Sequence, residues 1–331
     1  MNRNKLESVA ENILVKLRSR PGHFYKPSGI KKNLGITSGE LASSLKLLKE
    51  WGYRIKTDKD GGYGFISAPD SLIETEIKYK LNTKLIGRTI HAFKTTQSTN
   101  RVAAQLALSG APDGTLVVAE TQTKGRGRYS RSWFSPEKLG VYCSIVLYPK
   151  IHPTLAPGLS LMSAVALAET ISKSGKINVG IKWPNDVLID GRKTAGILTE
   201  LSADGDKVNY VVAGIGININ HKSEDFPDEL KNKATSIRIS LGKEVDRLEL
   251  LKKFLFRFES EYLNFNENGL SGIRKKILKY STLMGRPVTL KMGHKSHSGI
   301  VLDIDELGRL VMETKTGMKA FSAGEVTIQE H

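Results

Sequence analysis

Two apolar runs suited to strands, Thr115 to Ala119 and Val141 to Leu147, bracket the stretch Lys124-Gly125-Arg126-Gly127-Arg128-Tyr129-Ser130-Arg131-Ser132-Trp133. A chain in this order has to leave one strand, pass through a cationic loop and re-enter a second strand. The loop reads as a holder of an anion. Gly125 and Gly127 are expected to take positive φ and bring the backbone close to a ligand, while Arg126, Arg128 and Arg131 present forked donors to carboxylate or phosphate oxygens. A solvated basic turn would need neither the glycine alternation nor the closing Trp133.

A second constraint lies at Asp190-Gly191, a two-residue turn signal inside Ile181 to Leu198. The hairpin it predicts sets Asp186 and Lys193 on neighbouring strands, where they either face a common site or form a plain cross-strand ion pair. Tyr210 to Asn220 follows as an apolar strand with Gly214 and Gly216 in its interior. Interior glycines of this kind mark a bulge or the close approach of a ligand.

Taken together, these stretches resemble the biotin protein ligase family. The hallmarks stand in order as Gln97-Ser98-Thr99-Asn100, then Gln122 with Gly125-Arg126-Gly127-Arg128 through Trp133, then Lys182-Trp183-Pro184-Asn185-Asp186, Arg192-Lys193 with Ala195-Gly196, and Gly214-Ile215-Gly216-Ile217-Asn218. The resemblance implies an α+β protein of the long form: an N-terminal winged helix-turn-helix over residues 1–66, a catalytic domain over 72–281 with a mixed sheet of the class II synthetase type, and a small SH3-like β-barrel over 283–331.

The same resemblance implies a reaction in two steps. Biotin and ATP, the latter with Mg2+, yield biotinyl-5′-AMP, and the biotinyl group then passes to a lysine of the biotin carboxyl carrier protein of a carboxylase. Matched position by position, Ser98, Thr99, Asn100, Gln122, Gly125, Arg126, Gly127, Arg128, Arg131, Trp133, Lys193 and Gly196 would hold biotin and its adenylate. Lys182, Asn185, Asn218 and Phe226 would meet the nucleotide. Lys193, Arg128 and Asp186 would carry the chemistry, with Asp186 and Asn218 near the magnesium and no tightly bound metal. Some relatives place a tryptophan after the Gly-Ile-Asn motif to stack on adenine. This chain has Asn220-His221-Lys222-Ser223-Glu224-Asp225-Phe226-Pro227 there, with Phe226 as the available ring.

Charge is uneven. Of a net +16, residues 1–65 carry 13 Lys and Arg against 6 Asp and Glu, or +7, which suits attraction to phosphate backbones. Leu6 to Leu17 and Pro27 to Leu34 are predicted helices. Thr37 and Glu40 form a capping-box pattern ahead of a third, whose Leu41, Leu45 and Leu48 share one face. A hairpin from Tyr53 to Ile66, tipped by Asp58 to Gly62, completes the winged-helix order. Ser43 and Lys46 on the third helix, with Lys56 and Lys59 in the hairpin, are the candidate DNA contacts. The resemblance implies operator DNA as a partner and a homodimer joined edge to edge.

Leu72 to Leu81, Thr99 to Ser109, Pro157 to Ser174 and Leu248 to Leu263 are further predicted helices, the last with Phe254, Leu255 and Phe258 in the core. Beyond Leu283 short strands alternate with turns. His294 and His297 read as a solvated loop rather than a metal pair. The single cysteine, Cys143, reads as a buried thiol in a reducing compartment. With no apolar signal core and no apolar run long enough to span a bilayer, the expectation is a cytoplasmic protein without a membrane partner. Two other readings stay open: a biotin-sensing transcription factor without ligase activity, and an acyl transferase of the lipoate ligase type.

Overall fold

The computed structural model describes residues 3–329. Its N-terminal unit ends at Ser71, and a second unit begins at Leu72. In the first, α1 (Arg3–Arg18) turns Ala10, Ile13, Leu14 and Leu17 inward at helical spacing, each at most 2% exposed. They pack with Ile30 of α2 (Pro27–Leu34) and with Leu41, Leu45 and Leu48 of α3 (Ser38–Glu50). Thr37 and Glu40 close a reciprocal capping box at the start of α3. Gly52, at φ 89°, turns the chain into the antiparallel pair β1 (Arg54–Thr57) and β2 (Tyr63–Ser67).

The second unit is built on a seven-stranded mixed sheet. After a short α4 (Glu74–Lys78), which takes up only part of the helix expected over Leu72 to Leu81, come β3 (Ile90–Thr96), α5 (Thr99–Leu108), β4 (Leu116–Gln122) and β5 (Gly140–Leu147). Helix α6 (Pro157–Ser172) leads to β6 (Val179–Lys182), β7 (Asp186–Ile189), β8 (Arg192–Asp204) and β9 (Lys207–Asn218). The spatial order is β3-β4-β5-β9-β8-β7-β6, parallel between β3 and β4 and antiparallel elsewhere. Asp190 and Gly191, at φ 48° and 78°, make the tight turn between β7 and β8.

Strand alternation sorts this sheet into two faces. Val141, Cys143, Ile145 and Leu147 of β5, with Val211, Ala213, Ile215 and Ile217 of β9, belong to a large core shared with α6 and with α9 (Arg247–Asn268), which follows the short α7 (Asp228–Lys231) and α8 (Ile237–Leu241). Phe254, Leu255 and Phe258 lie fully inside it. On the opposite face Val117, Val146 and Val212 meet Ala103 and Ala107 of α5. Beside that patch the same face carries Ser144, Gly196, Gly214 and Gly216, and stays low there. One expectation needs correction. Pro153–Ser172 does have the length and apolarity to cross a membrane, but the segment is mostly buried inside the protein, because α6 is a core helix apolar nearly all round.

Helix α10 (Ser271–Tyr280) precedes a five-stranded antiparallel sheet of β10 (Pro287–Met292), β11 (Lys295–Ile304), β12 (Leu310–Thr314), β13 (Gly317–Phe321) and β14 (Glu325–Ile328), ordered β13-β12-β11-β10-β14. Its Val288, Leu290, Val301, Leu310 and Val326 join the same core as the larger sheet. Trp183, 2% exposed, donates from Nε1 to the Gly308 carbonyl at 2.9 Å and pins the two sheets together.

Candidate active site

A cavity of about 640 Å³ opens over the low face of the larger sheet. Ser98, Thr99, Asn100, Gln122, Arg126, Gly127, Arg128, Arg131, Trp133, Lys182, Asn185, Asp186, Lys193, Gly196, Asn218 and Phe226 all line it, so one space gathers residues spread over more than a hundred positions of sequence. Gly125 is not among the lining residues.

The floor is tied together by hydrogen bonds that begin at α5. Thr99 donates its backbone N–H to Gln122 Oε1 at 2.9 Å, and Gln122 Nε2 donates to Ser135 Oγ at 3.1 Å. Ser144 Oγ lies 2.8 Å from Thr99 Oγ1 and 2.6 Å from Asn100 Oδ1. Asn100 Nδ2 then donates to Glu200 Oε2 at 2.7 Å, and Glu200 Oε1 meets Arg126 Nη2 at 3.0 Å. The series runs from Ser135, just past the cationic loop, back to Arg126 inside it. Sequence reading missed Ser135, Ser144 and Glu200; only their registers in the folded sheet bring them to the site.

Glycine serves this site differently from the expectation. Gly125 and Gly127 do not take positive φ; that conformation falls on Tyr129 and Ser130, at φ 56° and 59°. Gly125 is needed for space, since a Cβ there would lie 2.5 Å from the Trp133 carbonyl oxygen. The glycines of β9 make room for side chains of the protein itself. A Cβ on Gly214 would fall 1.9 Å from Asn100 Oδ1, and one on Gly216 would fall 2.4 Å from the Trp133 indole. Gly196 pairs with Gly216 across β8 and β9, and together they form a flat seat for Trp133.

Lys193 stands above this seat, with Nζ 5.3 Å from the Trp133 ring centre and 2.7 Å from Asp186 Oδ1. The hairpin expectation therefore holds in both its forms at once: the two residues are a cross-strand ion pair, and they face the cavity. Arg128 Nη1 donates to Asn185 Oδ1 at 3.1 Å, and its guanidinium lies 5.0 Å from the Tyr129 ring centre. Arg131 turns toward the smaller sheet, donating to Glu325 Oε2 at 2.7 Å. That hydrogen bond holds the Glu325 carboxyl below the usual carboxylate range. Phe226 is buried and stacks on His221, with ring centres 5.0 Å apart. His221 is itself fully buried with neither ring nitrogen hydrogen-bonded, and burial lowers its pKa to about 4.

In the N-terminal unit, Ser43 and Lys46 are exposed on α3, Lys56 on β1 and Lys59 at the hairpin tip, with Lys46 Nζ 3.9 Å from Glu50.

A mixed sheet carrying an arginine loop, with a Lys–Asp pair over a glycine seat, defines a protein of the biotin and lipoate ligase class. Residues 92–218 match the Biotin/lipoate A/B protein ligase family, and residues 283–328 match the Biotin protein ligase C terminal domain. The chain is 36% identical to the bifunctional ligase/repressor BirA of Bacillus subtilis over 98% of its own length and all of that protein's. It is 33% identical to the biotin–[acetyl-CoA-carboxylase] ligase of Paracoccus denitrificans, over 70% of this chain and 97% of that one. The biotin protein ligase from Aquifex aeolicus, solved in complex with biotin and ATP, superposes with a TM-score of 0.65 at 32% identity, covering 74% of this chain and 100% of that one. The chain belongs to the biotin protein ligase family.

Proposed function

We propose that the protein activates biotin with ATP and transfers the biotinyl group to a lysine of a biotin carboxyl carrier protein, and that it also represses transcription in response to biotin. The observation that carries the first part is the convergence of Arg126, Arg128 and Lys193 on one cavity. A biotin carboxylate oxygen attacks the α-phosphorus of ATP and pyrophosphate leaves. Both reactants are anions, and fixed cations offset their repulsion without any change of protonation state. In this reading Ser98, Thr99, Asn100, Gln122 and Arg126 hold biotin, and Trp133 on Gly196 and Gly216 forms an apolar wall. Lys193 faces the carboxylate and α-phosphate oxygens, and Phe226 offers a face to adenine.

Magnesium fits as part of the nucleotide substrate. Among the described residues no group of three His, Cys, Asp or Glu is placed to hold a metal ion. Asp186 faces the cavity in an ion pair with Lys193, and a carboxylate there suits a cation that arrives on phosphates, with Asn218 nearby on the lining. Magnesium would neutralise phosphate charge there.

In the second step the acceptor lysine amine attacks the carbonyl of the mixed anhydride, AMP leaves, and the amine loses a proton. Arg128 and Arg131 order the loop over the adenylate and keep water from it.

The N-terminal unit is read as a winged helix that meets operator DNA through Ser43, Lys46, Lys56 and Lys59, and the five-stranded sheet as an SH3-like barrel that walls the site with Gly324, Glu325 and Val326. Beyond Ile197, β8 pairs with β9 alone, and this open edge supports a homodimer joined strand to strand. Carrier protein and operator together place its work in the cytoplasm. The Biotin protein ligase C terminal domain match favours biotin over lipoate. Pyrophosphate release on mixing ATP and magnesium with biotin, but not with lipoate, tests the reading; release with lipoate alone would overturn it, and no release would leave a sensor without catalysis.

A further inference from the structure

Glu200 joins two of the residues assigned to biotin, although it does not itself line their cavity. Its two carboxylate oxygens are divided between Asn100 Nδ2, at 2.7 Å, and Arg126 Nη2, at 3.0 Å. Asn100 is the rigid end of this link. It is 5% exposed, donates also to the Leu198 carbonyl at 3.2 Å, is met by Ser144 Oγ at 2.6 Å, and sits over Gly214 with no room to move toward the strand. Arg126 is the loose end: its side chain is 53% exposed, and among the described residues no second anion touches it.

A guanidinium has five N–H donors in one plane, so a single contact at Nη2 sets its angle and leaves the others free. Behind the pair lies a smaller cleft of about 270 Å³, which shares Asn100 and Arg126 with the main cavity and on which Glu200, Leu201 and Tyr210 open. Glu200 thus approaches Arg126 from the side away from the proposed substrate.

We infer that Glu200 is a positioning residue, which transmits the fixed geometry of Asn100 to Arg126 and so presets the guanidinium for biotin. The inference rests on the proposed function and deepens it. A half-exposed ion pair adds little to fold stability, so its value lies in orientation: a donor already held in place does not have to be frozen when ligand binds.

The test is a double-mutant cycle on the full-length protein, with biotin titrated into wild type, Glu200→Gln, Arg126→Ala and the double variant. Glutamine keeps an acceptor for Asn100 while removing the anion beside Arg126. Glu200→Gln is expected to weaken biotin about tenfold, a coupling of ordinary size for residues in contact, and to weaken it no further once Arg126 is alanine. In steady state the loss should appear in KM for biotin, with kcat and the melting temperature unchanged. Unaltered biotin affinity in Glu200→Gln, losses that multiply in the double variant, or a lowered melting temperature accompanying the loss would each overturn the inference. Wild-type protein that binds no biotin would instead overturn the functional proposal on which it stands.

Discussion

The ammonium of Lys193 lies 2.7 Å from Asp186 Oδ1, and both residues line the cavity. The ammonium sits on a flexible four-carbon stem, and the lysine can turn from this partner toward arriving oxygens. Lys193→Ala is expected to lower the single-turnover rate of pyrophosphate release about 10²- to 10³-fold, the usual loss for one preorganised donor. Lys193→Arg keeps the charge but places a planar fork where a compact ammonium sits over Trp133, and should recover only a minor part. An alanine variant as fast as wild type would show that the lysine takes no part in the step.

The cationic loop is fastened at separate points, Arg128 on Asn185 and Arg131 on Glu325. Arg128→Gly frees the first and adds backbone freedom. Biotinyl-5′-AMP should then escape faster and label lysines of bystander proteins, which a time course of biotin on serum albumin would detect. Retention of the intermediate at the wild-type level would contradict a closing role for Arg128.

Trp133 needs the glycine seat beneath it. In Gly216→Ala the new methyl would stand 2.4 Å from the indole, and strands β8 and β9 cannot part to make room. The indole must leave, at a cost of about 1–3 kcal/mol by the measure of other overpacked sites. The expected outcome is a raised KM for biotin and a lowered melting temperature together; a variant with wild-type biotin affinity would show that the seat does not shape the pocket.

Much of this site was legible in the sequence because its signals are local. Asp190-Gly191 prescribed a two-residue turn, and the turn alone brings Asp186 and Lys193 onto adjacent strands. Thr37 and Glu40 marked a helix start that the fold contains. What stayed hidden depends on pairing between distant strands. Glu200 links Asn100 to Arg126 only because α5 lays Asn100 over Gly214, and Gly216 matters only because Trp133 folds back across it. The positive φ values went to Tyr129 and Ser130 because the arginine loop makes its tight reversal there, while Gly125 was occupied with steric clearance.

His221 predicts a pH effect whose sign follows from burial. Its folded-state pKa is lowered to about 4 from an ordinary 6.5, so below 6.5 the unfolded chain takes up a proton that the folded chain refuses. Stability is unaffected by this group above that range and is lost as pH falls from 6.5 toward 4. Between pH 7 and pH 5 the loss amounts to about 2 kcal/mol. His221→Phe, stacked in the same place against Phe226, should show a smaller fall in its urea midpoint over that interval. Equal falls in both proteins would mean that the imidazole is protonated while folded.

The most direct test of the whole account is transfer of biotin to a purified carboxyl carrier domain by the full-length protein with ATP and magnesium, beside a Lys193→Ala control. Labelling of one acceptor lysine, dependent on ATP and lost in the control, is the expected result. Biotin bound but never transferred, or transfer that persists at full rate without Lys193, would contradict the account.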